Sequence, residues 1–157
     1  MLNYLTKANR LTSEIKSKAL NHIQSGYQRE LTYRRLDGSF SAFGNSDKTG
    51  STWLTAFVLK SFIQARPYVD VDQAVIKGAV DFLISRQVAA DGSFEEKGEV
   101  HHKDLQGGAG KTDDTAGALT AYVLIAILHE DKLAPVRIEK QADIKRAEDF
   151  LARFAGC

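Results

Sequence analysis

Two adjacent histidines, His101 and His102, lie in a polar stretch that runs into Gly107-Gly108. A neutral imidazole is a nucleophile and a proton acceptor near neutral pH. Side by side, two imidazoles are poorly arranged to share a metal, and no nearby cysteine completes a ligand set. Taken alone, a histidine pair in a polar loop reads as surface. His22 and His129 fall at helical positions and read as structural or exposed. Lys111-Thr112-Asp113-Asp114 resembles part of a cyclase acid motif, but Asp113 or Asp114 reads first as a helix cap. Gly107-Gly108-Ala109-Gly110 follows no strand, which argues against a phosphate cradle. The single cysteine, Cys157, allows no internal disulfide and no Cys/His zinc cluster. No metal or cofactor is expected.

Five helical segments must position these groups. The first spans 13–27, where Ile15, Ala19, Ile23 and Tyr27 recur every four residues between charges. Thr12 or Ser13 is its cap. The second spans 51–66 and is apolar nearly all round, through Trp53, Leu54, Ala56, Phe57, Val58, Leu59, Phe62 and Ile63. Trp53 and Phe57 read as core anchors. Arg66-Pro67 stops it. The third, 72–87, is amphipathic through Ile76, Ala79, Val80 and Leu83. The fourth, 114–129, is apolar again. The fifth, 138–154, carries one stripe of Ile144, Ala147, Leu151 and Phe154. Half-buried helices thus alternate with enclosed ones, as two concentric layers require.

The pattern repeats. Asp37-Gly38-Ser39-Phe40 recurs as Asp91-Gly92-Ser93-Phe94, each after an amphipathic helix with a late glutamine (Gln28, Gln87). Asp-Gly favours a tight turn, and the Phe can pin that turn to the core. Leu54-Thr55-Ala56-Phe57-Val58-Leu59 recurs as Leu119-Thr120-Ala121-Tyr122-Val123-Leu124. One unit is outer helix, DGSF loop, inner helix. The chain holds two units and the opening helix of a third, so the expected fold is an all-α toroid of helical hairpins, about half a ring. Residues 1–157 form one partial domain. The long loops 31–50 and 88–113 both run from outer to inner helices, so both belong at one end of the ring.

Composition sets further bounds. The chain is 43% hydrophobic, which supports a buried core and excludes disorder. A net charge of +1 gives neither a basic field for nucleic acid nor a polybasic patch for a membrane. No apolar run approaches transmembrane length. No signal peptide precedes the first helical segment. One cysteine, by composition alone, points to a reducing compartment.

Several stretches together resemble a known family. They are Tyr4-Leu5-Thr6, Gly26-Tyr27-Gln28-Arg29-Glu30-Leu31, Asp37 through Gly44, Ser51 through Val58, Asp91 through Phe94, Val100-His101-His102, Gly107-Gly108 and Leu119 through Leu124. In this order and spacing they resemble the thioester domain of alpha-2-macroglobulin, complement component three and the insect thioester-containing proteins. The resemblance covers nearly the whole chain. It implies an α/α-toroid of six hairpins with an internal thioester between Cys and Gln in a Gly-Cys-Gly-Glu-Gln motif. It also implies secretion, neighbouring macroglobulin and complement-like domains, and a role in innate immunity as opsonin or protease inhibitor. After proteolytic activation, the thioester acylates hydroxyls or amines on a target surface or protease. That is a single-turnover transfer rather than enzyme turnover. The chain departs from the family in one respect. Gly-Cys-Gly-Glu-Gln does not occur in it, and Cys157 has no matching Gln motif.

The resemblance gives His102 the role of catalytic histidine, through its spacing to Gly107. His101 takes that place if the loop shifts by one residue. The imidazole would attack the thioester and pass the acyl group to a hydroxyl. Missing hairpins would leave apolar flanks on the inner helices, and self-association is expected. Two other classes compete. Isoprenoid cyclases and prenyltransferases share the toroid, but a full Asp-x-Asp-Asp motif and the zinc ligands are missing. A non-catalytic helical scaffold needs no site at all.

Overall fold

A computed structural model of the chain describes residues 2–99, 114–129 and 139–155. Its α-helices are α1 (Leu2–Lys7), α2 (Ser13–Leu31), α3 (Thr52–Ala65), α4 (Gln73–Ser85), α5 (Asp114–Leu128) and α6 (Gln141–Ala155). No strand occurs among the described residues, only isolated bridges at Arg34–Phe40, Phe40–Ser51 and Gln87–Phe94. The all-helical, layered expectation therefore holds.

Helices α2, α3 and α4 each begin at a side-chain cap. The Thr12 hydroxyl accepts from the Ile15 N–H at 3.2 Å, and Ser51 does the same for Leu54 at 3.1 Å. The Asp72 carboxylate accepts from the Ala74 N–H at 2.8 Å. Asp72 in turn donates its own N–H to the Tyr27 hydroxyl, which ties α4 to α2. Pro67 follows the last turn of α3, where a proline ends a helix without losing an internal bond.

Helices α3 and α5 share the widest contact and form the inner layer. Their buried faces, Ala56, Val58, Leu59 and Ile63 against Leu119, Val123, Ala126 and Ile127, make the centre of the core. Helix α4 packs on α3, α6 packs on α5, and α2 touches α3. The packed hairpin is thus an inner helix with the outer helix that follows it, and the DGSF loops stitch one hairpin to the next. Tyr27 and Phe40 both meet Phe62 edge-on, with ring centroids 4.9 and 5.7 Å away. These contacts seal α2 and the first loop onto α3.

Three expectations need correction. Helix α2 does not bury one face along its length: Tyr27 is enclosed, but Ile15 is 43% exposed. Tyr27 already stands beside Phe62, near the end of α3, so the earlier turns of α2 find little to pack against. Phe57 is not a core anchor: it is 48% exposed, and Ile125 on α5 is 51% exposed. Helix α3 is apolar on more sides than α2, α4 and α5 cover. Helix α1 is an element that the sequence reading did not find.

Candidate functional site

The two DGSF loops are built alike, down to single hydrogen bonds. Asp37 Oδ1 accepts from the Ser39 N–H at 3.1 Å and from the Ser39 hydroxyl at 2.5 Å. Asp91 Oδ1 accepts from the Ser93 N–H at 2.9 Å and the Ser93 hydroxyl at 2.8 Å. Donation from the Ser93 N–H, then from its hydroxyl, holds the Asp91 carboxyl below the usual carboxylate range, against a smaller upward pull from desolvation. Gly38 and Gly92 turn the chain at φ of 84° and 86°. Phe40 and Phe94 are then driven into the core, fully buried.

A buried threonine receives each phenylalanine. The Phe40 N–H donates to Thr55 Oγ1 and the Phe94 N–H to Thr120 Oγ1, both at 2.9 Å. A buried N–H without a partner is costly, and the repeated Leu-Thr-Ala of the inner helices supplies that partner twice. The loops also gauge the ring. A Cβ at Gly38 would sit 2.5 Å from the Gly78 carbonyl oxygen of α4, and one at Gly92 would sit 2.5 Å from the Arg146 carbonyl oxygen of α6. Each loop is wedged against the next outer helix.

The described parts of both loops meet the first turn of α3. Ser51, the cap of α3, pairs with Phe40 through its N–H at 3.1 Å. The chain beyond the second loop then returns to the same helix start. Glu96 accepts from the Thr52 and Trp53 N–H groups at 2.9 and 2.8 Å and from the Ser51 hydroxyl at 2.9 Å. The Thr52 hydroxyl donates to the Glu95 carbonyl at 2.7 Å. With Ser51 serving Leu54, the first three N–H groups of α3 are satisfied. A carboxylate also suits the positive end of the helix.

His101 and His102 lie outside the described residues, as do Gly107–Gly110 and Asp113. Asp114 opens α5. His22 is exposed on α2. His129 is exposed too, with Nε2 3.0 Å from Gln64 Nε2. Among the described residues, no three His, Cys, Asp or Glu side chains gather as a metal would need. None of their helices is long and apolar enough to cross a membrane. Trp53 is half-buried, with Phe57 and Tyr122 stacked on it at 5.6 and 5.7 Å.

The sequence reading missed Glu96, and it gave Thr55 and Thr120 no role. For the threonines the repeat itself was the signal. The family model of the A-macroglobulin TED domain matches residues 1–156 of the chain.

Proposed function

The chain belongs to the A-macroglobulin TED domain family, and on that premise we propose that it directs covalent acyl transfer from a thioester to hydroxyl acceptors. The observation that carries this reading is His102, five residues ahead of Gly107 within the matched span. The thioester comes from outside these residues, since the sequence has no Gly-Cys-Gly-Glu-Gln. The unprotonated imidazole nitrogen of His102 attacks the thioester carbonyl. The C–S bond breaks and thiolate leaves. An acceptor hydroxyl then attacks the acyl-imidazole, the C–N bond breaks, and the thiolate takes the hydroxyl proton. The products are an ester, a free thiol and a regenerated neutral imidazole. This happens once per molecule, so the domain is not a turnover enzyme.

In the parent protein this chemistry would tag a cell surface or trap a protease after secretion, next to macroglobulin and complement-like domains. Half-exposed Phe57 and Ile125 support a further point. The inner helices meet additional apolar surface, from remaining hairpins or from self-association of the isolated chain. Sedimentation should reveal concentration-dependent association of the isolated chain, and a strict monomer would count against this.

The test of the main reading is acceptor choice. The activated parent protein is offered glycerol and methylamine together, and the ester and amide adducts are counted by mass. His102→Asn should move the products from ester toward amide. An unchanged ratio would remove His102 from the reaction. If the same loss appears with His101→Asn instead, the loop is shifted by one residue.

A further inference from the structure

We propose that α5 carries a docking groove for α3 of a second copy of this chain, so that copies join head to tail through the contact that already seats α5 on α3. The inference is independent of the acyl-transfer reading, and it names the interface behind the expected self-association. Its basis is the repeat. Leu54–Leu59 of α3 corresponds to Leu119–Leu124 of α5, so each residue of α3 has a counterpart on α5. The outer helices correspond too, because Gly78 of α4 faces Gly38 as Arg146 of α6 faces Gly92. A groove on α5 is lined by Ala121, Leu124, Ile125, Leu128 and His129, with Leu151 of α6. Their counterparts in the first unit are Ala56, Leu59, Lys60, Ile63 and Gln64, with Leu83 of α4. That is the side of α3 that receives α5. Lys60 Nζ lies 5.9 Å from the Tyr122 ring centroid, and Gln64 meets His129 at 3.0 Å. In the first unit Ala56, Leu59, Ile63 and Leu83 are fully buried. In the groove Ile125 is 51% exposed, and Ala121, Leu128 and Leu151 are half-buried. The first unit therefore shows what covers such a groove: an inner helix that presents the Tyr122 side.

The chain also carries the matching side, on α3. Phe57 is the counterpart of Tyr122, Leu54 of Leu119 and Ser61 of Ala126. On α5, Leu119 and Ala126 are buried. On α3, Leu54 is half-buried, Ser61 is exposed and Phe57 is 48% exposed. The chemistry of the two sides changes in step. Within the chain, a charged Lys60 stands over the hydroxyl-bearing ring of Tyr122. At the groove, Ile125 stands in the place of Lys60, and the side that would meet it has Phe57 in the place of Tyr122. Both members of the pair turn apolar together, and joining them removes both from water. Phe57 is already held for this by its stacking on Trp53. Two different surfaces meet in such a contact, so it is heterologous, and copies add until a ring closes.

The experiment is a complementation by sedimentation on the 157-residue chain. Ile125→Lys blocks the groove with the residue that α3 already carries at that place, and Phe57→Lys blocks the matching side. Each variant alone should associate about thirtyfold more weakly or worse, and sediment as a monomer. Mixed in equal amounts, the two should form a one-to-one dimer and nothing larger, because each supplies the side that the other lacks. Should Phe57→Lys fail to fold, Phe57→Ala makes the same comparison. A mixture that stays monomeric would overturn the proposal. So would association of Phe57→Lys alone at the unmodified strength, which would mean that groove meets groove. Should the unmodified chain associate while both variants associate equally well, self-association stands and this interface falls. A strictly monomeric unmodified chain would end both, and would leave the acyl-transfer reading untouched.

Discussion

The two DGSF loops share a core and differ in how the chain leaves it. In both, an aspartate binds the serine two residues on, a glycine turns at positive φ, and a buried phenylalanine gives its N–H to a threonine of the next inner helix. After the first loop the chain closes on itself. Arg35 donates to the carbonyls of Gly44 at 2.7 Å and Asp47 at 2.6 Å, and Ser41 donates to the Gly44 carbonyl. After the second loop it crosses to the other unit, through Glu95 and Glu96 to α3. Val88 stands where Arg35 stands, since both donate their N–H to the loop serine carbonyl, and valine cannot gather carbonyls. The shared part builds the wheel. The part that differs joins the second loop to the first unit's inner helix.

The comparison breaks most readily at the glycines. Gly38→Ala and Gly92→Ala each force a side chain into a left-handed turn and against a neighbouring helix backbone. Each should destabilise the chain by about 3 kcal/mol or more in denaturant titrations. A loss confined to one of them would mean that the loops are not equivalent.

Next come the threonines. Thr55→Val and Thr120→Val keep shape but leave a buried Phe N–H unpaired, at a cost of about 2 kcal/mol each. Thr55→Val should be the worse, because Thr55 also donates to the Ser51 carbonyl at 2.6 Å.

A smaller effect separates the units. Gln87 donates to the carbonyls of Gly92 and Asp143, and it accepts from Arg146. Gln87→Ala should remove about 1 kcal/mol and speed amide exchange in α6 while leaving α2 unchanged. Uniform exchange changes would contradict a local role.

The smallest effect concerns pH. The Asp91 carboxyl titrates below its unfolded value, so the contribution is complete above about pH 4 and disappears as pH falls through the folded value. Asp91→Asn should flatten that acid limb of the stability curve. An acid limb identical to wild type would remove Asp91 from it.

The wheel was legible because its rules are local. Asp-Gly-Ser-Phe carries its own turn, Ser51 and Asp72 mark helix starts, and the repeated Leu-Thr-Ala aligns two inner helices. What escaped was everything set by distance along the chain. Glu95-Glu96 reads as solvated charge until α3 is seen over forty residues away in sequence but in contact in space. Gln28 and Gln87 look like counterparts, yet Gln28 is exposed and Arg34 takes the bridging place beside Phe40. The second loop spends one more residue between that bridge and its aspartate. Periodicity marked α3 as apolar all round but could not tell which sides have neighbours, hence Phe57. Helix α1 is six residues long, too short for a period to emerge. The histidine pair was legible only through its spacing to Gly107, and it lies outside the described residues.

The sharpest test looks for the acyl group itself. The parent protein would be activated without acceptor, quenched within milliseconds and mapped by peptide mass. The account predicts a transient cross-link between the thioester glutamine carbonyl and the His102 imidazole, formed as a thiol is released. Thiol release with full ester formation, but with no such cross-link at any quench time, would contradict it.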